Sequence, residues 1–230
     1  VTPVPVIGDF AGGSMYLVVG VLAALIARGT TGRGQVVDAA MVDGAAHLFT
    51  MVHGLLGTGA WRDEREANLL DGGAPFYAVY ECADGKFVAV GALEPEFWAE
   101  LVTGLGIDLP GEQYDPGTWE AQRAAFAAAF RTRSRDEWAE HFEGTDACVA
   151  PVLSLREAPT HPHAVGRGSF VTDVNGHPVP RPTPRLSDTP LRDPGPEPVP
   201  GADTRAYLLA HGFGADEVEA LITSGAVVQA

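Results

Sequence analysis

The stretch Gly8-Asp9-Phe10-Ala11-Gly12-Gly13-Ser14-Met15 places one carboxylate and two glycines directly ahead of a long apolar run. An acid in that position has two uses. It can cap or solvate the start of a helix, the ordinary fate of an Asp beside glycines. It can also face a bound ligand: the glycines would let a substrate approach closely, while the N–H groups of a helix N-terminus face a developing negative charge. Glu94, in Leu93-Glu94-Pro95-Glu96-Phe97, carries the same ambiguity, because an acidic residue ahead of proline is a common helix start. Spacing alone leaves both readings open for both residues.

The other reactive side chains point toward packing and turns. His47 and His53 are six apart, which is not one helical face, and they read as packing or surface histidines. His161-Pro162-His163 reads as a turn. Asp71-Gly72-Gly73 is a flexible turn by composition; a phosphate cradle needs a strand before it and a helix after it, whereas a hairpin follows. Met41 and Met51 suit an adaptable apolar pocket and equally suit core filling. Cys82 and Cys148 stand in neither CxxC nor CxxH spacing, so both are expected as reduced thiols of a cytoplasmic protein, with no metal site.

The elements that must position these groups have readable ends. The apolar run Met15–Ala27 is expected to be a buried helix, with Ser14 as N-cap and Gly29 as stop. At about 13 residues it falls short of the roughly 20 that cross a bilayer. Gln35–Met41 reads as a short strand or extended segment, and Val42–Leu56 as a helix. Pro75–Cys82 and Phe87–Val90, joined by Ala83-Asp84-Gly85-Lys86, carry a strong antiparallel hairpin signal. Pro95 suits the first position of a helix with Glu94 at its N-cap. Thr118 is placed to cap an Ala-rich helix to Phe130. Ser134-Arg135-Asp136-Glu137 and Ser154-Leu155-Arg156-Glu157 are capping-box patterns, and Cys148–Leu153 reads as extended. Nine of the 18 prolines fall between His177 and Pro200, which predicts a linker laid over a surface. Helices near Thr204–His211 and Ala215–Ser224 close the chain.

Composition bounds the partners. The 230 residues include 30 acidic and 15 basic side chains, a net charge of -15, with no Lys or Arg cluster dense enough to track a phosphate backbone. Nucleic acid is therefore not expected. No charged leader precedes the apolar run, and a start at Val1-Thr2-Pro3 without methionine suggests that part of a longer protein is missing.

Five ordered segments together resemble the family III CoA-transferase superfamily, in its α-methylacyl-CoA racemase branch. They are Gly8–Ser14, Gly32–Met41, Asn68–Tyr77, Gly91–Phe97 and Asp146–Val152. The resemblance implies an enzyme of lipid metabolism and fatty acid degradation, an isomerase that racemises 2-methylacyl-CoA thioesters by 1,1-proton transfer through an enolate. It implies that Asp9 is a catalytic acid/base and that Glu94 orients and strengthens a catalytic His. In relatives that His lies some tens of residues before the Asp; only eight residues precede Asp9, so no histidine here takes the role and this chain alone is expected to be inactive. Gly12, Gly13, Met41, Met51, Leu69, Leu70, Tyr77 and Leu93 correspond to substrate-binding positions. No separate cofactor is implied, because coenzyme A is part of the substrate.

The resemblance also implies an α/β fold: a partial Rossmann-like large domain, a small α+β domain, and an interlocked homodimer without membrane insertion. Residues 1–42 and 184–230 would belong to the large CoA-binding domain, 78–165 to the small domain, with linkers at 43–77 and 166–183. Two other functions compete. A true CoA-transferase would use Asp9 as a nucleophile that carries an acyl or CoA group, although such enzymes have a longer glycine run than Asp71-Gly72-Gly73-Ala74 and lack the Glu94 motif. An inactive fragment or non-catalytic subunit would only bind or assemble.

Overall fold

A computed structural model describes residues 4–230. Its contacts divide the chain into two compact units, one ending at Val152 and the other running Leu153–Ala230.

In the first unit a wide-turn, π-helical segment, Val6–Met15, continues directly into α1, Tyr16–Thr31. The helix therefore starts eight residues before the expected cap. Ser14 lies inside it, and its hydroxyl donates to the Asp9 carbonyl at 3.2 Å instead of capping. The reason is tertiary. α2, Met41–Leu48, crosses this segment at Gly12, where a Cβ would stand 2.9 Å from the Ala45 nitrogen, and at Gly44, where a Cβ would overlap the Gly12 carbonyl oxygen. Two backbones approach as closely as only glycines allow, and that contact offsets the poor helix propensity of the glycine pair. His47 on α2 bonds the Tyr16 hydroxyl across the same contact at 2.6 Å, a packing use.

α1 runs past Gly29 and ends at Gly32, whose φ of 69° makes it the left-handed cap; its N–H donates to the Arg28 carbonyl at 2.8 Å. The expectation of a buried helix is not met. No residue of α1 is buried, and Ile26 is 74% exposed. The whole helix Val6–Thr31 spans 26 residues and holds an 18-residue stretch of mean hydropathy 2.1, so length and composition would let it cross a membrane. Core helices of soluble proteins meet the same criterion. Residues 33–40 form no strand, and the helix expected over 42–56 is two, α2 and α3 (Thr50–Gly57), broken at Phe49.

The hydrophobic core of this unit draws its buried side chains from residues 74–147. The expected hairpin is present: β1, Tyr77–Glu81, pairs antiparallel with β2, Phe87–Gly91, in the register Val79↔Ala89. β3, Val149–Val152, joins the other edge of β2 antiparallel, giving the order β1-β2-β3. Tyr80, Val88 and Val90 face inward onto Leu101 of α4 (Pro95–Leu105), Phe126 and Phe130 of α5 (Trp119–Phe130) and Trp138 of α6 (Arg135–His141). Tyr80 stacks on Phe130 with ring centroids 5.2 Å apart. The capping box of α6 forms as read: the Ser134 side chain accepts from the Glu137 N–H, and the Glu137 carboxylate accepts from the Ser134 N–H at 2.8 Å. Thr118 precedes α5 without capping it; its hydroxyl donates to the Asp115 carbonyl.

In the second unit the reciprocal Ser154–Glu157 bonds also form, but they lead into a short 3₁₀ turn, Ala158–Thr160, rather than an α-helix. α7, Pro162–Arg167, follows, with the His161 ring accepting from the His163 N–H. The proline tract is not purely linker, since Pro178–Pro180 forms β5 against β4, Phe170–Thr172. α8, Thr204–Ala210, and α9, Ala215–Thr223, close the chain.

Helices and strands mix as the α/β reading requires. Among the described residues every strand pairing is antiparallel, and 4–42 and 184–230 contribute helices but no strand, so no Rossmann-like parallel sheet forms within them. The boundary at Val152 falls inside the module expected over 78–165, and the expected linker 43–77 contains α3 and most of α2.

Candidate active site

Glu94 stands at the N-cap of α4 because β2 ends at Gly91 and Pro95 starts the helix. Its backbone is extended, with φ −71° and ψ 145°, yet its side chain makes no capping hydrogen bond. Glu is one methylene longer than the residues that cap well. The residue is exposed, and while its carbonyl accepts from the Trp98 N–H at 3.0 Å, its carboxylate has no hydrogen-bond or ion-pair partner among the described residues. Asp9 is likewise exposed in the first turn of the π-helical segment, and only its carbonyl is engaged, by Ser14. Neither carboxylate does the capping work that is the ordinary explanation of its position. No hydrogen bond or ion pair joins Asp9 to Glu94 among the described residues.

The glycines beside Asp9 serve a different purpose from the one expected. Gly12 and Gly13 are buried under α2, so the space they leave is taken by Ala45 and by the Met41 side chain, whose Cγ would lie 3.0 Å from a Gly13 Cβ. Substrate does not approach Asp9 over these two residues in this structure. Met41 is thereby placed at the Asp9 helix, with half of its surface open, and Met51 is exposed on α3. Leu69 and Leu93 pack against the core of the first unit, and Leu70 is half-buried.

A cavity of about 710 Å³ lies on the outward face of the β1–β3 sheet. The pleat makes that face apolar too: Tyr77, Val79, Ala89, Gly91 and Ala150 all turn outward, and the small residues in the middle leave a trough. Glu66, Asp71, Gly72, Arg123 and Cys148 also line it, as do Ala78 and Val90 of the strands. Of the expected binding residues only Tyr77 lines it; Glu94 follows three residues after Gly91, whose N–H donates to the Cys148 carbonyl at 3.0 Å.

Two features make the trough a built site. Glu66 and Cys148, both with φ of 53°, are the non-glycine residues with positive φ among those described, and both line it. Such conformations cost roughly 1–3 kcal/mol each and persist where surrounding contacts enforce them. The wall at Asp71-Gly72-Gly73 is fixed, not flexible. The Asp71 carboxylate accepts from the N–H groups of Ala67, Asn68 and Gly73 and from the Asn68 side chain at 2.8 Å. Burial pushes the Asp71 pKa up, but the bonds from Asn68, Gly73 and Ala67 outweigh it and hold the group below the usual carboxylate value. From α5, Arg123 donates to the carbonyls of both Gly72 and Gly73, at 2.5 and 2.7 Å. Cys148 is exposed, and its thiol is pushed up by burial first, then by Glu94, Asp146 and Glu100. Glu66 and Arg123 escaped sequence reasoning, because neither carries a local motif; Cys148 lies in the Asp146–Val152 segment, where the sequence marks it only as a reduced thiol.

The sequence model described as CoA-transferase family III matches residues 1–204. The chain belongs to that family. Over 224 residues, 94% of its length, it is 42% identical to "Alpha-methylacyl-CoA racemase" of Mus musculus and 41% identical to the Homo sapiens protein of the same name. It spans 58% and 57% of those two proteins, somewhat over half of each. Among solved structures, a CAIB/BAIF family protein from Brucella suis is similar with a TM-score of 0.59 at 24% identity, over 86% of this chain and 53% of that one. The antiparallel sheet, its helical layer and the flanking helices are thus this family's α/β fold.

Proposed function

We propose that this chain supplies part of the catalytic apparatus of an isomerase that racemises 2-methylacyl-CoA thioesters. The observation that carries the reading is the 41–42% identity, over 94% of the chain, to two proteins named alpha-methylacyl-CoA racemase. The geometry supports it in that Asp9 and Glu94, the two carboxylates the resemblance singles out, are both left without structural partners. A proton next to a thioester carbonyl is weakly acidic, so its removal needs a base on one face, a donor on the other and stabilisation of the enolate between them. Asp9 serves one face. A histidine from the part of the relatives that this chain does not span serves the other, and Glu94 orients that ring and raises its basicity. Coenzyme A arrives with the substrate and no further cofactor is required. Met41, Met51 and the apolar trough beside Tyr77 offer surface to the acyl chain. An interlocked homodimer in the cytoplasm would cover the exposed apolar side chains of α1.

The competing transferase reading makes Asp9 a nucleophile. The short and pinned Asp71–Ala74 turn favours the racemase. The deciding experiment follows deuterium uptake at the α-carbon of a single-enantiomer 2-methylacyl-CoA in D₂O. Uptake with loss of optical purity is expected from the full-length protein, and none from Asp9→Ala or from this chain alone. Absence of exchange, with CoA transferred to an added carboxylate and an Asp9 adduct trapped by hydroxylamine, would overturn the proposal in favour of transfer.

A further inference from the structure

The turn that presents Glu94 is held from a distance. After α4 the chain returns across the end of the sheet, and Gln113, only 7% exposed, donates both hydrogens of its side-chain amide: to the Ala92 carbonyl at 3.1 Å and the Leu93 carbonyl at 2.8 Å. The Tyr114 hydroxyl donates to the same Leu93 carbonyl. Gln113 is itself fixed, its carbonyl accepting from the Trp119 indole N–H at 2.9 Å. Ala92 is fully buried, so water cannot replace the amide there. These bonds orient the two peptide planes immediately before Glu94 and leave the Glu94 carboxylate free of its own helix.

We propose that Gln113 is a positioning residue for Glu94: its amide holds the β2–α4 turn so that the Glu94 carboxylate stands beside Cys148 and the trough. This rests on reading Glu94 as the group that orients the catalytic base, but its placement can be tested without any turnover, because Cys148 reports on it. The Cys148 carbonyl accepts from the N–H of Gly91, the strand end that leads into this turn, at 3.0 Å, and after burial a carboxylate so near holds the thiol pKa up, so alkylation by iodoacetamide, followed by mass analysis of the Cys148 peptide, measures whether the charge is in place.

Glu94→Gln is expected to speed alkylation about two- to fourfold. Gln113→Leu, which keeps bulk but loses both donors, is expected to do the same, and to add nothing in the Glu94→Gln background. Tyr114→Phe removes one exposed hydroxyl with little risk to folding and is expected to act in the same direction, more weakly. The proposal is overturned if Gln113→Leu alkylates at the wild-type rate. It is equally overturned if the substitution accelerates alkylation as much without Glu94 as with it, since that is general loosening, or if Glu94→Gln itself has no effect. In the full-length protein, Gln113→Leu should lower kcat for α-proton exchange at least about tenfold while KM stays within twofold, and the loss should vanish in the Glu94→Gln background. A wild-type protein that exchanges no α-proton would sink the racemase reading and leave the alkylation cycle to decide the role of Gln113.

Discussion

Substituting Gly44 by Ala tests whether the glycine crossing sets the position of Asp9. In an exposed helix, Gly→Ala is favourable by up to about 1 kcal/mol, because alanine has the higher helix propensity. Gly54 on α3 meets that condition, since nothing lies within 4 Å of its Cβ position. At Gly44 the new methyl overlaps the Gly12 carbonyl oxygen and also crowds the Gly12 carbonyl carbon and Cα. These are backbone atoms that cannot rotate aside, so the helices must separate. Overpacking of this kind costs roughly 1–3 kcal/mol and occasionally more. Because the displaced atoms are backbone, we expect the upper part of that range, a net loss of about 2 kcal/mol after the propensity gain. With a urea m-value of about 2 kcal/mol/M, the midpoint should fall by about 1 M for Gly44→Ala and rise by up to about 0.5 M for Gly54→Ala, at unchanged m. Far-UV circular dichroism in urea reads both. In the full-length protein Gly44→Ala should also lose α-proton exchange, because Asp9 is three residues from the displaced Gly12. Equal midpoints for the two variants would refute the crossing as the determinant of this helix pair.

Ser134→Ala removes the acceptor for the Glu137 N–H at the start of α6 and is expected to cost about 1 kcal/mol, read as a lowered urea midpoint. Ser134→Asp, which caps equally well, should restore most of it. The Asp71 carboxylate titrates below its ordinary value in the folded chain, so the stability it contributes is complete above the unfolded pKa of about 4 and is lost as pH falls through the lowered value. Asp71→Asn should therefore be less stable than wild type at pH 6 and lose less stability on acidification from pH 5 to pH 3; parallel acid limbs for the two proteins would contradict the hydrogen-bond account.

Sequence alone determined the features whose hydrogen bonds close within a few residues. The β1–β2 hairpin follows from β-formers flanking Asp84-Gly85, the start of α4 from Pro95, and the cap of α6 from Ser134 and Glu137 three positions apart in one motif. The choice of Asp9 and Glu94 came from five ordered motifs rather than from any contact, and spacing left their roles open. Tertiary structure decided the rest. The first helix begins at Val6 because Gly44 lies on Gly12, 32 positions away. The Asp71–Ala74 turn is rigid because Arg123 reaches back 50 residues to its carbonyls, and the Glu94 turn is held by Gln113 from 20 residues downstream. Cys148 and Glu66, far apart in the chain, both hold a left-handed backbone that neither residue prefers, and both line the trough. Propensity and capping are properties of a short stretch of chain and are written in it. Which carbonyl a distant amide or guanidinium finds, and where two backbones touch, depends on the packed arrangement of the whole unit.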